Sequence, residues 1–498
     1  MKRREFCKSA LITGAATALA WARTAAAATE SAVAAAGGSD IPAIKLSGQP
    51  TIISAAAVKA FAGNLHGTLL TASDKDYDQA RRLWNKMIDR RPALIARCSG
   101  AADVAHAVAF ARERDLLVAV RGGGHSFPGY SVCDGGLMID LSMLHAVRVD
   151  PIAKTARVAG GAWIGDLDWE AQQYGLAVTM GQISNTGVAG LTLGGGYGWL
   201  CRRLGLACDN LVSVDVVTAD GKLRHVSAHE EPDLFWALHG GGGNFGVVTS
   251  FEYRLHPIGP KVLAGMLAYD PKQTREVLEY YAQFAARAPD ECSVDLGWGG
   301  GEGAGTAPSL FVCYNGDPRE GEKVLQPLRA FVKPVKDTIQ AQDYLQVQRQ
   351  SDGPPQSPDN NYLKGGFIAE YTPALITTLV DDFHPSEHVG MYVMHCGGAV
   401  ADVAPTATAV AHRRELFNVL VNSEWPNAAD NELNRAAVHA AWDKFKPYTS
   451  GFYVNLNDPD QKAVDDNYGP NKARLASVKK QYDPGNLFRL NANIKPAA

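Results

Sequence analysis

The six residues Arg121-Gly122-Gly123-Gly124-His125-Ser126 limit the fold of this chain more than any other stretch. They follow Leu116-Leu117-Val118-Ala119-Val120, an apolar run of buried-strand length, and precede Phe127-Pro128-Gly129-Tyr130, which reads as loop. The order is strand, glycine loop, histidine. Consecutive glycines carry no Cβ and leave positive φ open, so backbone N–H groups can turn inward and approach a ligand closely. Such a nest suits a pyrophosphate, and the competing reading is a tight turn with a surface histidine.

Two more glycine fields follow, from Gly187 to Gly198 and from Gly240 to Gly246. The third contains GxGxxG through Gly241, Gly243 and Gly246, the spacing of a nicotinamide dinucleotide site. That site needs a strand before the glycines and a helix after them. Here a helix-like Asp233-Leu234-Phe235-Trp236-Ala237-Leu238 precedes, and the alternating Val247-Val248-Thr249-Ser250-Phe251 follows, so the context excludes it.

The chain has 498 residues, 46% hydrophobic and 20% charged, which predicts roughly two or three soluble domains. A net charge of -4 without basic runs in the body excludes a nucleic-acid footprint. Lys2-Arg3-Arg4-Glu5-Phe6-Cys7-Lys8, the weakly apolar run from Ala10 to Ala20 and the small residues at 24–28 read as a twin-arginine export signal over 1–30. The twin-arginine machinery would then be a partner, and the mature protein periplasmic or secreted with no membrane span. Residues 31–65, rich in Ala, Gly and Ser, read as a linker. Beyond the signal Cys98, Cys133, Cys201, Cys208, Cys292, Cys313 and Cys396 remain, none in CxxC spacing, so no zinc or other metal site is expected.

In order, a helix is expected over 80–87, a strand over 92–98, a helix over 101–114 capped by Ser99, and a strand over 116–120. This βαβ unit delivers the histidine loop at the carboxyl end of its second strand, where such units place ligands. Short strands follow to 158, a helix over 163–174, and strands over 211–218 and 247–255. From 262 onward strands at 262–267, 309–314 and 388–396 alternate with helices at 273–286, 318–332 and 373–383, which predicts an α+β domain with an antiparallel sheet covered on one face.

The histidine loop, Gly194 to Gly198, Leu206-Ala207-Cys208-Asp209-Asn210, Gly241 to Gly246 and the terminal Tyr482-Asp483-Pro484-Gly485-Asn486-Leu487-Phe488 occur in the order found in one family. From about 94 to 496 the chain resembles the berberine bridge enzyme-like FAD-linked oxidoreductases, of the vanillyl-alcohol-oxidase type. The resemblance implies a PCMH-type split FAD-binding domain at 66–258, completed by 446–498, around a substrate domain at 259–445. It implies FAD joined covalently to His125, with Arg121, Gly122, Gly123, Gly124 and Ser126 around it. It also places Gly187, Gly190, Gly195, Gly198, Gly243, Asn244, Gly246, Val247, Val248, Asn491 and Asn493 against the cofactor. Where many relatives have a second, cysteinyl attachment this chain has Ile183, so a single bond is expected.

Tyr453-Val454-Asn455 matches the family's Tyr-x-Asn motif, which implies Tyr453 as a base supported by Asn455. A phenol ionises near pH ~10, so that role predicts a pKa shifted toward the working pH. The competing reading is an inward tyrosine on an alternating strand. His395 reads equally as a substrate-facing or a core histidine. The function implied is hydride transfer from an alcohol, sugar or related small molecule to covalent flavin, with oxygen as acceptor. The alternatives are a dehydrogenase using another acceptor and a flavin-carrying binding protein without turnover.

Overall fold

A computed structural model describes residues 39–299, 307–386, 389–457, 459 and 461–498, so the export signal expected at 1–30 lies outside the described residues. The linker expected over 31–65 is corrected from residue 41 onward. Strands Ile41–Ile44 and Pro50–Ile53 pair antiparallel, and the helix Ala55–Gly63 follows, its Ala57 N–H donating to the Ser54 hydroxyl at 3.3 Å. Ile53, Val58, Phe61 and Leu65 are buried beside Val104, Val108 and Leu137, with Phe61 stacked on Phe110 at 4.1 Å. The small residues read as linker, but a few spaced large side chains, each stabilising by roughly 1.5–3 kcal/mol on burial, are enough to dock the segment.

The first sheet has the order Thr68–Leu70, Leu94–Arg97, Leu137–Asp140, Val118–Arg121, and its last three strands are parallel. The βαβ unit is present, with Ala101–Glu113 as its crossover and Leu137–Asp140 inserted between its two strands. Gly100 is the helix N-cap in place of Ser99. The Ser99 N–H and hydroxyl instead both donate to the Asp103 carboxylate at 2.9 Å. The helix expected over 80–87 is Tyr77–Arg81, ended by an extended Arg82. A second sheet, all antiparallel, orders Leu223–Ser227, Leu211–Val217, Val247–Arg254, Thr155–Ala159 and Val147–Asp150.

The C-terminal segment packs into this first half. Leu487 and Phe488 join the core around the first sheet, and Leu475, Val478, Tyr482 and Ile494 join the core around the second. A fully buried Lys479 ties the ends together. Its ammonium donates to Asp483 at 2.6 Å, to the Asn244 carbonyl at 2.6 Å and to the Phe488 carbonyl at 3.1 Å.

Between these parts lies a third, antiparallel sheet, with Lys261–Ala268, Ser309–Tyr314, Cys292–Gly299, Val389–His395, Phe417–Trp425 and Asn360–Ile368 in spatial order along its path. Alternation sets its two faces. Phe417, Val419 and Val421 pack under the helices Thr274–Ala285, Pro318–Phe331, Pro373–Asp381 and Asn431–Phe445, while Leu420, Asn422 and Glu424 line a cavity on the other side. Asp317 and Thr372 start two of those helices, accepting the Arg319 and Leu375 N–H groups at 2.8 and 3.2 Å ahead of a proline at the first turn. Among the described residues, no helix is long and apolar enough to cross a membrane.

Candidate active site

Arg121 ends its strand opposite Asp140 in register, so strand pairing itself brings the guanidinium to the carboxylate, Nη1 to Oδ1 at 3.1 Å. Arg121 therefore braces the loop from behind and does not line the cavity. Gly122, Gly123 and Gly124 do line it. Gly124 alone of the three has positive φ, +77°. Gly123 is needed for close approach: a Cβ there would stand 2.3 Å from the Cα of Gly187, so the first two glycine fields meet backbone to backbone.

The cavity measures about 1280 Å³. Small-molecule sites occupy roughly 300–1,000 Å³, so there is room for a large cofactor and a substrate together. Its walls bring together His125, Ser126, Gly187, Gly190, Gly243, Asn244, Gly246, Tyr453, Asn455 and Asn491. The Asn244 amide is committed to structure, donating to the Gly241 and Ala492 carbonyls at 2.8 and 3.0 Å.

His125 stacks on Trp84 with ring centroids 4.7 Å apart and planes 18° from parallel. The backbone N–H of Trp84 donates to the Gly124 carbonyl at 2.9 Å, which ties the two segments of the stack together. Burial disfavours the imidazolium and pulls the His125 pKa down to about 4, leaving a neutral ring. Its Nε2 is buried at the cavity wall with no hydrogen-bond partner among the described residues.

Several expected contacts are corrected. Gly198 is a packing glycine, since a Cβ there would lie 1.8 Å from the Met180 carbonyl, and Gly195 faces Leu206 and Val410. Val247 and Val248 are strand core, and Asn493 lies outside the cavity wall. His395 is a core histidine. It is 2% exposed, its Nδ1 accepts the Val294 N–H at 3.3 Å, its Nε2 donates to the Ala285 carbonyl at 3.0 Å, and burial holds its pKa well below the usual value.

Tyr453 and Asn455 do face the cavity, joined by a hydrogen bond from the Asn455 amide to the phenol oxygen at 2.8 Å. The direction of the phenol's shift is the reverse of that expected. Burial pushes the Tyr453 pKa up, outweighing the Asn455 amide and the N–H groups of Gly196 and Tyr197. The cavity wall carries no Lys or Arg among the described residues to offset this.

Sequence reasoning missed Trp84 and a buried polar group behind Tyr392 on the sheet wall. There Asp295 accepts from the Gln182 amide at 2.5 Å, the Tyr392 hydroxyl at 2.8 Å and the His395 N–H at 2.8 Å. The strand over 388–396 is expected from the sequence, but the strand Cys292–Gly299 that carries Asp295 is not, nor is the face of the sheet that meets the cavity. Among the aromatics of the middle region, Trp298 and Tyr362 line the cavity, while Tyr314 and Tyr344 are core. All seven described cysteines are buried and free.

These residues fit FAD: a cradle without side chains suits the pyrophosphate, and the orphaned imidazole and the volume suit the rest. A family model for an FAD binding domain matches residues 92–227, and one described as berberine and berberine like matches 452–495. An FAD-linked oxidoreductase of Dictyostelium discoideum is 32% identical over 448 residues, covering 88% of this chain and 97% of that one. (R)-6-hydroxynicotine oxidase of Paenarthrobacter nicotinovorans is 33% identical over 455 residues, covering 87% and 97%. The crystal structure of 6-hydroxy-D-nicotine oxidase from Arthrobacter nicotinovorans matches with a TM-score of 0.78 at 32% identity, covering 87% of this chain and 98% of that one. With the glycine cradle in one matched segment and the Tyr453–Asn455 wall in the other, the chain belongs to the berberine bridge enzyme-like family and is an FAD-dependent oxidoreductase.

Proposed function

We propose that this oxidoreductase is exported, carries its FAD on a covalent bond to His125, and oxidises an alcohol, sugar or amine with oxygen as the final acceptor. The observation that carries this reading is the His125 ring, neutral, stacked on Trp84, and with Nε2 unpartnered at the wall of a cavity large enough for cofactor and substrate. A neutral imidazole is a competent nucleophile. Ile183 lines the wall where relatives have a second attachment, and it cannot form a thioether, so one bond is proposed.

When bound, FAD supplies the two-electron chemistry that side chains cannot. The N–H groups of Gly122 to Gly124 would hold its pyrophosphate, with Gly243 and Asn491 closing the opposite side. Tyr453, kept neutral by burial and oriented by Asn455, hydrogen-bonds the substrate's hydroxyl or amine. Met266, Phe311, Met394 and Leu420 exclude water from the reacting face. The paired Arg3 and Arg4 suit an export route that passes proteins already folded around a cofactor.

The test is anaerobic mixing of the purified yellow protein with hydroxynicotine, oligosaccharides, secondary alcohols and amines. Bleaching of the flavin by one of these, followed by peroxide formation in air, is expected. Bleaching with dye reduction but no peroxide would replace oxygen as the acceptor, and no bleaching by any compound would remove the substrate assignment. Residues 1–30 fused to a reporter should direct export that Arg3→Lys with Arg4→Lys abolishes.

A further inference from the structure

We propose that Tyr392 and Asp295 act as a proton-accepting pair on the sheet wall, the Tyr392 phenol taking the proton of the substrate's O–H or N–H while passing its own to the Asp295 carboxylate. The inference rests on the oxidation proposed above and names the group that receives its proton. Tyr392 lines the cavity, and its hydroxyl lies 2.8 Å from Asp295 Oδ2 and 3.1 Å from Gln182 Oε1. Both neighbours are acceptors, so the phenol is a donor toward the protein and keeps its lone pairs for a donor from the cavity. A substrate hydroxyl or amine is such a donor.

The Tyr453 phenol has the opposite wiring. It receives the Asn455 amide and, among the described residues, has no carboxylate hydrogen-bonded to it to take its proton, so it orients a substrate. Asp295 provides a proton outlet behind Tyr392, which lines the cavity. Its carboxylate is 1% exposed and is held by the neutral donors Gln182, Tyr392 and the His395 N–H. Arg202 directs its donors to the carbonyls of Cys292, Cys396 and Ala288. Tyr281 from the helix side, Cys313 on the paired strand, and Cys201, Cys396 and His395 make up the rest of its titratable surroundings. Burial raises the pKa of the thiols and of Tyr281 and lowers that of His395, so all stay neutral. Burial also pushes Asp295 itself up to about 6, a value at which it can both accept and release a proton.

The substrate X–H bond breaks toward Tyr392 Oη and the Tyr392 O–H bond breaks toward Asp295 Oδ2, while bound FAD would supply the oxidant that takes the substrate C–H electron pair, leaving C=X. Asp295 then releases its proton through the same phenol to water when product leaves.

The test uses holoenzyme and the best reductant from the screen above. Tyr392→Phe and Asp295→Asn should keep their flavin but reduce it about 100-fold more slowly at pH 8. Asp295 must be ionised to accept, so the wild-type rate should fall as pH drops through about 6, and Asp295→Asn should lose that limb. Infrared titration gives a readout without turnover: the band of a protonated carboxyl should grow in as pH falls through about 6 and be missing in Asp295→Asn. A merely structural role predicts lower thermal stability with an unchanged rate per flavin. Flavin-loaded Tyr392→Phe reducing at the wild-type rate overturns the pair, as does an acid limb that persists in Asp295→Asn. If Asp295→Asn does not fold, Tyr392→Phe decides. Should no compound reduce the wild-type flavin, the oxidation reading falls and the pair with it, whereas wild-type reduction with unaffected variants removes the pair alone.

Discussion

One wall of the cavity is backbone and the facing wall is side chain. On the first, Gly123 and Gly187 touch through main-chain atoms, and Gly124 takes a left-handed conformation that places His125 beside Trp84. On the second, Leu420, Tyr392, Met394 and Phe311 stand off a regular antiparallel sheet whose other face is an ordinary helix-covered core. A backbone wall has no rotamers to yield and tolerates no added carbon, so it suits an invariant, bulky cofactor. A side-chain wall can be re-equipped at one position without disturbing the strand beneath, so it suits selection among substrates.

The sharpest way to break this contrast is Gly123→Val. Its Cβ would stand 2.3 Å from the Gly187 Cα, and both partners are backbone, so the loop must open. The expected result is protein without bound flavin, read from its visible absorbance. Near-normal flavin content would show the backbone wall to be as forgiving as the sheet.

Tyr453→Phe comes next. It should retain flavin and slow anaerobic flavin reduction about 100-fold in stopped flow, because a positioned hydroxyl is lost while the cradle is intact. An unchanged rate would remove Tyr453 from the reacting side.

The smallest functional effect is expected from His395→Ala. It frees the Ala285 carbonyl and the Val294 N–H in the core, which costs about 1–3 kcal/mol each in folding stability, readable as a lower Tm. Turnover per flavin should be unchanged, and a large loss of turnover would return His395 to the reacting groups.

The two walls were not equally legible in the sequence. The glycine wall was, because consecutive glycines, a strand before them and a histidine after them constrain the main chain, and the main chain is what makes that wall. Even there the neighbours were overread. Gly198, Val247 and Val248 share the motifs but face a carbonyl or the core, since a motif does not say which side of the chain the ligand occupies. The sheet wall was legible only as alternation. Periodicity puts Tyr392 on a definite face of its strand, while the strand of Asp295 is not expected at all, and which face meets the cavity depends on how Gln182, far away in sequence, docks against them. His395 shows the same limit, since its ring partners Ala285 and Val294 are distant in the chain. The segment at 41–65 was hidden by composition, with small residues masking Val58 and Phe61.

The claim on which the rest depends is that His125 holds the flavin. The most direct measurement is acid precipitation of the holoprotein followed by mass spectrometry of its peptides, beside the same experiment on His125→Ala. The account predicts that the colour stays with the wild-type pellet, that the peptide containing His125 is heavier by one FAD, and that the variant releases its flavin to the supernatant. Wild-type flavin freed completely by acid, or a flavin adduct that persists in His125→Ala, would contradict it.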